Sequence, residues 1–507
     1  MSRARSAEIV LSPTPRSRAY PSADPCRSRR NCKAVSMASR GAANSCSARA
    51  ASTPECGAVG GGLTRRRLLA HGGAAVPSAG GLGACAASPP PPPPRVVARR
   101  PETEIARLLD ASPQLTVAGE PLNATALRQF YARHGYNPVW PSRQGQADEL
   151  AGLVLRAGDH GLDPEMFHAG LLRRRGDLSP LRRELLITDA LLSYADALSH
   201  GGVPADQRTP AEAMAPETVD LAAALDVAID SEDPVVAIEA LAPQTRTYLG
   251  LRLAMRGRML RAPRLPRGAA AVAQLQRSIA ANLERERWLP RELPPDRVWV
   301  NVPDQQLVLY RGNERAFTTA VVVGDNAERN QTPEFHTLIE AGFFNPPWVI
   351  PRDIVVAEIL PRIERDPDYL ARNNMVMRAD GTIEQSAGPE AGLGFLLFDM
   401  PNPFDVYLHD TPDRFLFSRS NRRMSRGCIR VQNPRELAAL LMDMPVEEID
   451  RRIATGSTSR KPLPAPMPVF ITYRTAFVDA EGALQFRQDF YDRDPQVWRR
   501  LRRQAQA

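Results

Sequence analysis

The 507 residues of this chain predict an α+β, multidomain protein: a mostly helical N-terminal domain, then a mostly antiparallel β-sandwich or barrel. Three observations carry that reading. Between residues 101 and 262 apolar residues recur at helical spacing. From residue 298 onward they come instead in short β-branched runs punctuated by turn residues. The length also exceeds one ordinary domain and allows a full core in each of two.

The first hundred residues stand apart. They hold 16 basic and 3 acidic residues, leaving 49 basic and 54 acidic for the rest, so the net charge of +8 belongs to the leader. A slightly acidic body exerts no long-range pull on nucleic acid, and nucleic-acid binding is discounted. Only Lys33 and Lys461 are lysines, a bias that fits a GC-rich coding genome better than an electrostatic design. Residues 1–88 are read as leader. Thr64–Leu69, with Arg65, Arg66 and Arg67, and the Gly/Ala-rich stretch to Ala86 resemble a twin-arginine export signal over about residues 64–86. Its glycines, His71 and Pro77 make a poor membrane-spanning helix. Leu82–Cys85 fits a lipoprotein cleavage box that would leave Cys85 lipidated; Ala84–Ala86 equally fits an ordinary small-x-small site. The expected location is the periplasm or envelope of a bacterium, with membrane contact only through the leader or a lipid anchor.

Residues 89–100 are a linker. The run Pro89–Pro94 is expected to be extended polyproline II, a stiff spacer of about 3.1 Å per residue.

Residues 101–265 form the expected helical domain. Leu181, Leu185, Leu191, Leu192, Ala195 and Leu198 keep near 3.6-residue spacing and stop at His200-Gly201-Gly202. Phe130–Trp140 reads as a helix end, a glycine break and an aromatic anchor; His160–Pro164 is a second glycine-capped turn. His134, His160 and His200 sit beside these helix ends and are assigned to capping. No metal-ligand spacing joins them, and neither metal nor cofactor is expected.

Residues 266–495 form the expected β-rich domain, and 496–507 a tail. A helix over 270–290 ends on Trp288 as packing anchor. Strands follow at 298–302, 306–310, 318–323 and 336–342, with Asp304 and Gly312 at turns and His336 assigned to structure. Later strands are expected at 405–409, 428–431 and 468–473. Between the last two, Asn433-Pro434 is an N-cap and first-turn pair for a helix to Met442, whose positive end would point near the site.

The chemistry gathers between residues 407 and 431. Cys428 is the only cysteine after Cys85, so the folded body can form no internal disulfide and no cysteine-based zinc site. A solitary thiol in an oxidising envelope is a liability unless used. His409 stands nineteen residues before it. A thiol needs an imidazole or positive surroundings to ionise near neutrality, and Arg414, Arg419, Arg422, Arg423, Arg426 and Arg430 crowd the same loop. Alone, a cysteine is usually a small buried hydrophobe and a histidine a satisfied polar group. Gly427 adds tight turning, and amides around Gly427 and Cys428 could face an oxyanion. An arginine-rich loop is ordinarily a solvated surface; this one, opposed only by Asp413, would suit an anionic substrate.

The stretch from Tyr407 to Val431, with Ser425-Arg426-Gly427-Cys428-Ile429-Arg430, resembles the catalytic motif of L,D-transpeptidases, the YkuD-type enzymes that cross-link bacterial peptidoglycan. The resemblance implies Cys428 as nucleophile and His409 as general base and acid. It places Ser425 and Gly427 at motif positions beside the oxyanion, Arg430 and Arg426 on substrate carboxylates and Tyr407 in the donor pocket. It implies that the third catalytic element is a backbone carbonyl or small residue, so Asp410 is left to cap the turn at Thr411-Pro412. Arg426 stands where the family most often carries a second histidine, leaving His409 as sole base.

The segments around 130–140 and 160–164 resemble the scaffold of the larger, YcbB-like members. Phe343–Pro351 resembles the segment beside their cleft, which would make residues 352–393 a lid; a neutral surface excursion is the plainer alternative. Larger relatives often insert a peptidoglycan-binding domain, and the few residues between Arg261 and Ala270 leave no room for one. The implied partners are donor and acceptor stem peptides of peptidoglycan. Transfer with release of D-Ala is the expected reaction. Hydrolysis by an L,D-carboxypeptidase, attachment of a protein amine to the stem, and a non-catalytic wall-binding scaffold are the rivals. Oligomeric state is not read.

Overall fold

The computed structural model describes residues 103–111, 114–257 and 269–504. The leader with its export signal and Cys85, the proline run and the short connection before Ala269 lie outside the described residues. Among those described, no helix is long and apolar enough to cross a membrane.

The helical half is organised by the helix Pro180–His200, which starts on Ser179 as N-cap and stops at Gly201, whose φ of 100° ends it sharply. Its buried face carries one polar knot. Glu184 accepts the amides of Val139 (2.7 Å) and Trp140 (3.1 Å) and the hydroxyl of Tyr131 (2.9 Å), while Trp140 Nε1 donates to Thr188 at 2.8 Å. The glycine break and aromatic anchor of 130–140 are thereby fixed to the long helix. His134 caps the helix Ala124–Arg133 and His200 ends its own. His160 is buried against Tyr248, its Nδ1 2.7 Å from the hydroxyl, and burial depresses it to about 4, so it stays neutral.

The helix Ala269–Arg287 and the helix Asp494–Gln504 pack in this same core through Ile279, Leu283, Trp288, Val497 and Leu501. The folded body thus runs past residue 495. The expected tail is an amphipathic helix, and its apolar stripe is what holds it down.

The β half is built on nine strands. In chain order they are β1 (Arg297–Asn301), β2 (Gln306–Arg311), β3 (Glu314–Gly324), β4 (Phe335–Phe344), β5 (Leu396–Asp399), β6 (Leu408–His409), β7 (Arg423–Ser425), β8 (Ile429–Val431) and β9 (Ser459–Thr472). Their order is β7-β3-β8-β6-β5-β4-β9-β1-β2, and β2 pairs again with β3. The sheet therefore closes into a barrel with β7 as an added edge. Most pairs are antiparallel; β6–β8, β7–β3 and β9–β1 are parallel. A second apolar core fills it and extends under the helix Pro434–Met442.

β9 is longer than the sequence predicts. Pro462, Pro464, Pro466 and Pro468 argue against a strand, yet their period-two spacing turns every missing N–H toward one edge. β1 pairs only from Val469 onward, and the register against β4 breaks between Pro462 and Met467, so no ladder bond is lost there.

The two halves are sutured. Trp299 and Phe470, on the outer face of β1 and β9, stack at 5.4 Å inside the helical core. Ala211 and Ala213 exchange backbone bonds with Glu334 at 2.7 and 2.9 Å, and Asn282 donates to Thr475, just past β9, at 2.6 Å.

Candidate active site

β6 and β8 lie side by side in parallel, with Leu408 opposite Ile429 and His409 opposite Arg430. Alternate residues of a strand share a face. Tyr407, His409, Cys428 and Arg430 therefore face one way, with Cys428 and His409 on the diagonal, about 7–8 Å apart along the backbone. Both side chains thus belong to one face of the sheet, although His409 Nε2 makes no hydrogen bond to the thiol in this state.

Cys428 is pinned by its turn. Gly427 has φ of +115°, a conformation strained for any residue with a Cβ. Ser425 accepts the Gly427 amide at 3.2 Å and donates to the Cys428 carbonyl at 2.5 Å. This corrects one expectation: the Gly427 amide is engaged within the turn by Ser425 rather than offered to an oxyanion. The Cys428 thiol lies 3.8 Å from the carbonyl oxygen of Asp405, itself at φ +52°.

His409 is fully buried. Its Nδ1 lies 2.5 Å from the carbonyl oxygen of Asp410. A carbonyl only accepts, so Nδ1 carries the proton and Nε2 presents its lone pair. Nε2 is buried with no hydrogen-bond partner. The Asp410 side chain turns elsewhere, accepting the amides of Thr411 (2.7 Å) and Phe395 (3.0 Å) and an ion pair from Arg414. It caps its turn, as its sequence position suggests.

The arginine loop is less free than its composition implies. Arg430 is 1 % exposed and pairs with Asp413 at 2.9 Å; burial lowers its guanidinium to about 10, which leaves it charged at neutral pH. Its expected grip on substrate carboxylates is thus replaced, in this state, by a buried ion pair. Arg422 donates to the carbonyls of Val321, Arg419 and Gln305, and Arg423 stacks over Phe490. Arg426 lies 3.6 Å from Glu358.

Glu358 belongs to the expected lid. Residues 352–393 hold short helices and, with Trp348–Ile350, a three-stranded sheet from Ile383–Gln385 and Met375–Met377. Ile354, Val355, Ile359 and Met375 join the same apolar cluster as Tyr407 and Cys428. Cys428 is 3 % exposed. Arg426 and Glu358 thus join this segment to the turn that carries Cys428.

The helix Pro434–Met442 does not aim at Cys428. Asn433 occupies the N-cap position without a side-chain bond, and the helix start opens on a separate cavity of about 510 Å³ with Asp410, Thr411 and Arg414. Asp410 follows His409 directly, so it faces away from the thiol.

Two organising residues escaped sequence reading. Asn402 clamps the loop before β6, donating to the carbonyls of Met400 (2.7 Å) and Val406 (2.8 Å) and accepting the Phe404 amide at 3.0 Å. Asn402-Pro403 is a turn dipeptide that could have flagged it. Thr332 donates to the Gly427 carbonyl at 2.9 Å from 95 residues away, and no local signal announces that.

Residues 295–461 match the L,D-transpeptidase catalytic domain (YkuD) family and residues 125–255 match the Scaffold domain family. The chain carries a YkuD-type L,D-transpeptidase catalytic domain preceded by the scaffold domain. A putative L,D-transpeptidase of Haemophilus influenzae is 26 % identical over 401 residues, covering 73 % of this chain and 78 % of the relative. Among solved structures, the catalytic domain of an E. faecium L,D-transpeptidase acylated by ertapenem is 12 % identical. It covers 36 % of this chain and 99 % of its own, with a TM-score of 0.20. An Enterococcus faecium L,D-transpeptidase mutant is 10 % identical, covering 40 % and 62 %, with a TM-score of 0.18.

Proposed function

We propose that this protein forms cross-links between peptidoglycan stem peptides through a thioester on Cys428, releasing D-Ala. The observation that carries the reading is the pinned imidazole: Nδ1 is committed to the Asp410 carbonyl, and Nε2, on the face of the sheet that Cys428 shares, has no hydrogen-bond partner.

His409 Nε2 takes the Cys428 proton. The thiolate attacks the carbonyl carbon between the L-centre of the stem's diamino acid and the terminal D-Ala. The Cys428 amide receives the oxyanion, a contribution of about 3 kcal/mol for one such donor. D-Ala leaves as an amine with the proton from His409, and a thioester remains. The side-chain amine of a second stem attacks it, His409 takes that proton, and the thiol is restored. Tyr407 lines the donor pocket; Arg426 and Arg423 meet stem carboxylates once the lid lifts.

Burial of Cys428 under the lid excludes water from the thioester and favours transfer over hydrolysis. Export through the leader to the periplasm belongs to the same proposal and rests on sequence alone. Disaccharide-tetrapeptide incubated with the protein and weighed by mass spectrometry tests the reaction. A cross-linked dimer with loss of D-Ala is expected; a trimmed tripeptide alone would make it a carboxypeptidase, and unchanged substrate a scaffold.

A further inference from the structure

The carbonyl of Gly427 and the N–H of Cys428 belong to one peptide unit. That unit is planar and trans, so fixing one group fixes the other in the opposite direction. Gly427's carbonyl is fixed by the Thr332 hydroxyl, which donates to it at 2.9 Å and accepts the Gly324 amide at 3.0 Å. Thr332 is fully buried and its own backbone is held at both ends. Its amide donates to Tyr491 Oη at 3.3 Å, and its carbonyl accepts from Arg493 Nη2 at 3.0 Å. Tyr491 Oη in turn donates to the Gly324 carbonyl at 2.6 Å, and Arg493 Nη1 reaches Glu334 at 3.3 Å. Close approach makes this corner rigid: a Cβ on Gly324 would fall 1.9 Å from the Asn330 carbonyl oxygen.

We propose that Thr332 is a positioning residue whose hydroxyl aims the Cys428 amide at the oxyanion and polarises it. The proposal rests on Cys428 as nucleophile but on no particular substrate. A hydrogen bond accepted by an amide's carbonyl strengthens its N–H as a donor, by about a tenth to a third per bond. Without the hydroxyl the peptide unit can rotate about Gly427, the one residue in the turn with no Cβ to resist. The Cys428 carbonyl, held by Ser425, the thiol against the Asp405 carbonyl, and the imidazole, held by the Asp410 carbonyl, are left in place.

The test compares two reactions of Cys428 in the full-length protein: acylation by p-nitrophenyl acetate, which develops an oxyanion, and alkylation by iodoacetamide, which does not. Thr332→Val is expected to slow acylation about tenfold while alkylation and its pH profile stay unchanged, since a mis-aimed donor loses part of the 10²–10³ that a deleted one loses. Thr332→Ser, which keeps the hydroxyl, restores acylation. Thr332→Ala reads the same ratio should the valine variant not fold. Equal falls in both reactions, a serine variant as slow as valine, or valine acylated like wild type would each overturn the role. Wild type that takes the acetyl group but leaves stem tetrapeptide untouched would sink the proposed function and leave Thr332 standing.

Discussion

The imidazole of His409 donates from Nδ1 to the carbonyl oxygen of Asp410, its own chain neighbour, at 2.5 Å. The group that sets the base's tautomer is main chain, so no side-chain substitution removes it. The Asp410 carboxylate, engaged with Thr411, Phe395 and Arg414, is free of that duty.

Loss of either reacting group is therefore expected to be severe and specific. Cys428→Ala should lower cross-linking by about 10⁴-fold or more and His409→Gln by about 10³-fold, with thermal midpoints close to wild type. Product mass spectrometry with stem tetrapeptide checks both. Full activity in Cys428→Ala refutes the assignment.

Arg426 and Glu358 tie the turn that carries Cys428 to the segment 352–393, the proposed lid, across 3.6 Å, both largely shielded. Such a pair is worth about 0.5–1 kcal/mol. Arg426→Ala should shift the lid toward opening and speed iodoacetamide labelling of Cys428 by about two- to fivefold. An unchanged labelling rate would mean the apolar contacts alone hold it shut.

Gly427→Ala places a side chain at φ +115° without meeting any atom closer than 3.8 Å. The cost is backbone strain, about 1–3 kcal/mol, and either the chain keeps it or the turn relaxes. A lower denaturation midpoint is expected together with at least tenfold slower acylation, because relaxation moves the Cys428 amide.

Glu334 is 2 % exposed between Arg285 and Arg493, and burial pushes its carboxyl up to about 7 from an ordinary 4.5 despite both arginines. The native state then binds a proton that the unfolded chain has already lost between those values. Stability from this group is complete below about 4.5 and falls as pH rises to about 7, by on the order of 3 kcal/mol. His160 runs the other way: depressed to about 4 from 6.5, it removes stability as pH falls through that interval. The two slopes offset in wild type. In Glu334→Gln the midpoint should rise more steeply with pH from 4.5 to 7, which calorimetry at several pH values reads.

Much of this was legible in the sequence for identifiable reasons. The helix over 180–200 announces itself by apolar spacing and a glycine stop, and β1 to β4 by β-branched runs between turn residues. Cys428 and His409 stand out because the body holds one thiol and the motif surrounds it. What stayed hidden depends on contacts distant in the chain or on main-chain atoms. The Asp410 carbonyl has no sequence signature. Arg430 looks like a ligand-binding cation until Asp413 is found 2.9 Å away. The full length of β9 stayed hidden, since the harmlessness of its prolines depends on which edge lies unpaired. Asp494–Gln504 reads as a tail until the groove it fills is visible.

Tyr491 and Arg493 brace the turn that carries Cys428, although they are made more than sixty residues later. During synthesis the sulfur therefore emerges well before its surroundings. A ribosome stalled anywhere in that interval holds a chain with the thiol but without the brace. The order of translation itself delays the moment at which this residue becomes dangerous to its neighbours.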